Sequence, residues 1–126
     1  MFNKHTETRV EKLICGELRT AKEQHGETFN SLHEAYAVAL EELEEASENV
    51  DMCKNCFRIL WSHIKQDDEK NEIKKYLHKL RNYYAVEAIK ELAQFAAMID
   101  KTLETLEKGE EAGTEKISVV QKGGEK

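Results

Sequence analysis

The chain contains no proline, and only two of its six glycines, Gly16 and Gly26, precede Lys108. Little therefore interrupts helices over most of its length. It has no apolar run near the roughly 18–20 residues that a membrane span needs. It also lacks a basic block: 19 Lys+Arg stand against 25 Asp+Glu, for a net charge of −6. Nucleic acid is thereby disfavoured as the main partner, because backbone binding needs clustered Lys and Arg. The opening Met1–Glu7 lacks the charged-then-apolar layout of a secretion signal. In that context three cysteines, an odd number, read as reduced thiols in a cytoplasm. What is present is 35% charged and 40% hydrophobic residues in 126 positions, too apolar for a disordered chain and long enough for one domain. The expectation is a cytoplasmic single domain, with neither membrane nor nucleic acid as partner.

Three helical stretches follow from the periodicity. The first runs from about Thr8 to Gln24, with Val10, Leu13, Ile14, Leu18 and Ala21 at three- and four-residue steps and His25-Gly26 as its stop. The second opens at Asn30 or Ser31, where Glu34 completes a capping box. Its inward stripe is read as Tyr36, Leu40, Leu43, Val50, Phe57, Trp61 and Ile64, interrupted by Ser47 and Lys54, with Ala39, Ala46, Cys53 and Leu60 as a flanking row. At about 1.5 Å per residue this helix approaches 50 Å by Gln66. Either it bends near Ser47–Asp51 or two chains share it. Asp67-Asp68-Glu69 is the expected turn into a third helix over about 69–108. Its stripe, Ile73, Leu77, Leu80 and Tyr84, continues into Glu87, Glu91, Gln94 and Met98, while Ala85, Ala88, Leu92, Phe95 and Ile99 dock the helix. Three polar groups are thus directed inward, and buried carboxylates are costly unless paired or metal-bound. The expected fold is an all-α antiparallel bundle of three main helices over residues 1–108, completed by oligomerisation. Residues 109–126 are expected to form a flexible tail, in which Ile117–Val120 is a candidate short strand or binding segment.

The second helix carries Glu41-Glu42-Leu43-Glu44-Glu45. At 100° per residue, Glu42 and Glu45 lie about 60° apart on one flank. Two carboxylates one turn apart suit Mg²⁺, which takes a few carboxylates plus water and substrate phosphate. An EExxE run alone is ordinarily a solvated face. The acidic interruption of the third helix changes its meaning, since antiparallel packing can bring both sets around one ion. Cys53-Lys54-Asn55-Cys56 is a lone CxxC without a second pair or a zinc-finger histidine spacing, so Cys53 reads as a small core residue. Trp61 and Tyr84 read first as core and second as base-stacking faces. Lys65 and Lys101, near the ends of the framing helices, read first as solvated and second as phosphate partners. His33 belongs to the capping region, and His5, His25, His63 and His78 show no partner pattern.

The segment Phe29–Val38, followed by Glu41–Ala46, resembles small MazG-like proteins, common in phages and prophages, of the all-α NTP pyrophosphohydrolase superfamily. Leu60-Trp61 and Glu91–Met98 look like the same group, and the resemblance covers roughly residues 28 to 105. It implies an ExxE motif on one helix and an ExxD motif on a later one, together holding Mg²⁺, or Mn²⁺ in its place. The implied reaction is attack of water at the α–β bond of a nucleoside triphosphate, giving a monophosphate and pyrophosphate. Glu42 and Glu45 match the first motif and Glu91 the first position of the second; Gln94 stands where the Asp is expected. Gln offers a carbonyl oxygen but no charge, which weakens ion binding. Glu87 or Glu41 is then the candidate for positioning water. Sites in this family lie where helices of dimers or tetramers meet, which agrees with the self-association expected from the long second helix.

Three readings follow: an Mg²⁺-dependent nucleotide pyrophosphohydrolase; a lapsed enzyme that sequesters a nucleotide or nucleotide-derived immune signal against a host defence; and a helical inhibitor acting through its acidic surface. Metal binding separates the first two from the third, and turnover separates the first from the second.

Overall fold

The computed structural model describes the backbone of residues 4–117 and the side chains of residues 8–109. The expectations for the His5 side chain, for the 118–126 part of the tail and for a strand at 117–120 lie wholly or partly outside these residues. In chain order the elements are α1 (Lys4–His25), α2 (Leu32–Lys65), α3 (Lys70–Lys79), a five-residue π-helical turn (Leu80–Tyr84) and α4 (Ala85–Ile117). There is no strand among the described residues, and the fold is all-α. No helix is long and apolar enough to cross a membrane.

The boundaries have local causes. Gly26 takes a positive φ of 97° and donates its N–H to the Lys22 carbonyl at 2.9 Å, the glycine stop of α1. Ser31 Oγ accepts the Glu34 N–H at 3.1 Å, while Glu34 Oε1 accepts the Asn30 N–H at 2.7 Å. This is the expected capping box, with the glutamate reaching one residue further back. α2 passes through Ser47–Asp51 without interruption and stops in a Schellman turn. There Asp67 (φ 58°) donates to the Ile64 carbonyl at 3.1 Å and Asp68 to the His63 carbonyl at 3.0 Å. His63 Nδ1 and the Asp68 carboxylate, 2.5 Å apart, fasten the same turn from the side.

The chain forms two compact units, Met1–Ala37 with Ala97–Lys126, and Val38–Ala96. In the first, Lys22 pairs with Glu104, whose carboxylate holds the Lys22 ammonium above its ordinary pKa. The Phe29 N–H donates to Thr105 Oγ1 at 3.0 Å, and Thr105 Oγ1 donates to the Lys101 carbonyl at 2.8 Å. The buried Lys101 ammonium lies 4.3 Å from the centre of the Phe29 ring. In the second unit, the His63 and Tyr76 rings stack at 4.8 Å, the Cys56 thiol points to the Tyr76 carbonyl at 3.9 Å, and Glu42 and Glu45 meet Glu91. As position falls along α2 it rises along the facing helix, so the two run antiparallel.

Two expectations about faces need correction. On α2 the buried row is Ala39, Ala46, Cys56 and Leu60, joined by the half-buried Glu42, Asn49, Cys53 and His63. The bulky stripe from Tyr36 to Ile64 is exposed instead, with Tyr36 at 70%, Phe57 at 65% and Trp61 at 56%. Small side chains at a seam let two helix axes approach closely, and the larger groups are left to the outer flank. On the facing helix, Tyr76 rather than Leu77 packs inward. The half-buried row there is Tyr76, Leu80, Tyr84, Glu87 and Glu91. Its two successive four-residue steps cross the π turn, which takes one residue more than an α turn and so resets the phase ahead of the acidic stretch.

Candidate metal centre

The site begins with helix phase. Because α2 turns its small-residue seam toward α4, Glu42 and Glu45 flank Ala46 on the facing side, and α4 presents Glu91 to them. One carboxylate oxygen from each of Glu42, Glu45 and Glu91 lies within 4.8 Å of the others, and all three residues are half-buried. Glu91 Oε1 is buried with no hydrogen-bond partner among the described residues.

The protonation of the cluster reflects this crowding. Glu45 has its carboxyl pKa raised, first by a hydrogen bond with Glu91 and then by burial and the negative charge of Glu91. Glu91 is raised as well, chiefly by burial, then by its hydrogen bond with Glu42, with Glu45 acting in the opposite sense. Carboxylates this close cannot all ionise cheaply: either a proton is shared or a cation neutralises them. The donors are hard oxygens, the set that divalent Mg²⁺ and Mn²⁺ take, and the orphaned Glu91 oxygen lacks only a positive partner. The residues fit such an ion.

The other sequence candidates are distributed unequally around this cluster. Glu87 is half-buried one turn before Glu91, adds to the negative field on it, and lies 4.0 Å from Lys90 Nζ. Gln94 is half-buried about one turn after Glu91. Glu41 is exposed and reaches Glu45 only through its charge. Trp61 and Lys65 form a pair of their own, with Nζ 5.8 Å from the ring centre. Trp61 follows Glu45 by sixteen positions on the same straight-running ladder, about 24 Å away. Neither is brought to the carboxylates. Tyr84 is half-buried with its ring edge-on to Tyr83 at 5.3 Å. Lys101 belongs to the other unit, engaged with Phe29.

His63 is a group that sequence reasoning passed over. Its contacts with Asp68 and Tyr76 depend on a turn and a neighbouring helix, and its half-buried place in the seven-residue row Glu42, Asn49, Cys56, His63 was the available signal. The CxxC pair does not join a metal cluster among the described residues. Cys56 is buried and burial pushes its thiol pKa up, the behaviour of a packed thiol rather than a reactive one. A separate apolar groove of about 500 Å³ is lined by Cys53, Phe57, Leu77, Leu80 and Ala85, with Lys54 and Arg81 also along it.

Comparison with family models, with curated proteins and with solved structures gave no match to this chain.

Proposed function

We propose that Glu42, Glu45 and Glu91 hold a divalent cation, Mg²⁺ or Mn²⁺, through which the protein binds the phosphates of a nucleotide. The observation that carries this reading is the convergence of three half-buried carboxylates within 4.8 Å with the Glu91 Oε1 acceptor left unpartnered. A bound cation would supply charge neutralisation and an anchor for phosphate oxygens. The chain's own contribution is orientation: the Ala-rich seam holds α2 and α4 close, and the half-buried setting strengthens every charge interaction in the cluster. Gln94 would add a neutral carbonyl oxygen on the Glu91 face, and Glu87 a carboxylate one turn earlier for positioning water.

The resemblance to MazG-like pyrophosphohydrolases extends this to hydrolysis of a nucleoside triphosphate to a monophosphate and pyrophosphate, in a homo-oligomer. A second reading is favoured by Gln94: with the fourth ligand uncharged, the protein retains a nucleotide without cleaving it, as a sequestering protein would. Both readings are tested by thermal unfolding against a panel of canonical and cyclic nucleotides, with and without Mg²⁺ or Mn²⁺, each sample then assayed for products. A ligand at about 100 times its Kd adds about 2.7 kcal/mol of stability. A metal-dependent shift with a monophosphate formed supports the enzyme, and the same shift with the nucleotide intact supports the binder. The absence of a metal-dependent shift across the panel overturns both.

A further inference from the structure

The outer flank of α2 carries a surface that is complementary to itself. Within Val38–Ala96, Leu40, Leu43, Val50, Phe57 and Ile64 are all more than a third exposed, and with Ser47, Lys54 and Trp61 they follow an unbroken four–three spacing. That spacing is the seam of a helix pair, and it lies on a different flank from the Ala39–Ala46–Leu60 row already used within the unit. Immediately beside it runs a seven-residue row, Glu44, Asp51, Arg58 and Lys65, entirely exposed. Its order is acid, acid, base, base. None of the four is ion-paired with another described residue.

We infer that this face binds a second copy of the chain, with the two α2 helices antiparallel about a two-fold axis near Met52. Reversal is what the charges require. In a parallel, in-register pair this row would run along the partner's uncharged Ala39, Ala46, Cys53 and Leu60 row and its charges would stay unpaired; in the antiparallel pair it runs along its own reverse, so Glu44 passes Lys65 and Asp51 passes Arg58, each contact occurring twice. The same register sets Leu40 against Ile64 and Leu43 against Trp61, and it places the small Ser47 opposite the large Phe57. A row that complements itself on inversion marks an isologous interface, whereas an unrelated partner would impose no such symmetry. This inference does not depend on the metal reading, because the seam row and the outer stripe occupy different flanks of α2.

The experiment uses the full chain and sedimentation equilibrium, with circular dichroism as the check of folding. The wild-type chain is expected at twice its 14.6 kDa mass, and Phe57→Glu, helical but monomeric. Asp51→Lys should weaken association by about tenfold, since each dimer loses two pairs and gains two repulsions; adding Arg58→Asp should restore it. Orientation is read separately by disulfide trapping in a Cys15→Ser, Cys53→Ser, Cys56→Ala background. There Val50→Cys should cross-link only on mixing with the Lys54→Cys chain, and Leu40→Cys only on mixing with the Ile64→Cys chain. A wild-type monomer, an Arg58→Asp addition that fails to restore the Asp51→Lys variant, or self-trapping of Leu40→Cys overturns the proposal. The charge-swap pair keeps the native cysteines, so it decides the matter should the substituted background fail to fold.

Discussion

Glu45 and Glu91 both have carboxyl pKa values raised from the ordinary one for reasons internal to the cluster: Glu91 is desolvated and meets other carboxylates, and Glu45 meets Glu91 and is partly desolvated as well. A carboxyl whose pKa is higher folded than unfolded binds more protons in the folded state. Its contribution to stability therefore falls as pH rises from the unfolded value through the folded one. Without divalent cations, the melting temperature should thus rise as the solution is taken from neutral toward the carboxylate range, and Mg²⁺ or Mn²⁺ should flatten that slope. Glu91→Gln should flatten it too, and should raise neutral-pH stability by on the order of 1 kcal/mol by removing a crowded charge, while abolishing the metal response. Thermal melts over a pH series, with and without metal, measure all of this. Lower stability of Glu91→Gln with unchanged metal response would refute the cluster as an ion site.

At the scale of elements, the decisive feature is which side of α2 faces α4. Glu42 and Glu45 are brought to Glu91 because residues as small as Ala46, 2% exposed, lie between the helices. A larger side chain at so buried a position must displace its neighbours. Ala46→Leu is expected to cost about 1–3 kcal/mol, as overpacked cores do. It should also weaken Mn²⁺ binding although every carboxylate is retained, which denaturant unfolding and metal titration would reveal. Much at this scale was legible in the sequence: the Ser31–Glu34 cap, the Gly26 stop and the charged turn at 67–69 all form as local chemistry dictates. The π turn was not, because nothing in Leu80–Tyr84 differs in propensity from an ordinary helical run. Its effect is on register, letting Tyr76 rather than Leu77 reach His63.

For the molecule as a whole, a unit whose buried side chains are mostly alanines while Phe57 and Trp61 face outward has a core too small to account for the large groups it displays. Association with a second copy, as proposed above, would convert that outer stripe into buried surface. The melting temperature should accordingly rise with protein concentration, while that of Phe57→Glu stays constant. A wild-type midpoint independent of concentration over a hundredfold range would count against association through this face.

Sequence alone determined what depends on neighbours along the chain. The absence of proline and the three- and four-residue apolar spacing made the protein helical, and caps and glycine set where α1 ends and α2 begins. Pairing Glu42 and Glu45 one turn apart needed only the geometry of a single helix. Tertiary structure alone decided which of two apolar stripes on α2 becomes the seam. Hydropathy favoured the bulky stripe, but the closeness of two helices is set by side-chain size at their contact, and that choice brings Glu42 and Glu45 within reach of Glu91. It likewise placed Trp61 and Lys65 away from the carboxylates and Lys101 beneath Phe29, because distances between helices follow from packing and not from spacing along the chain.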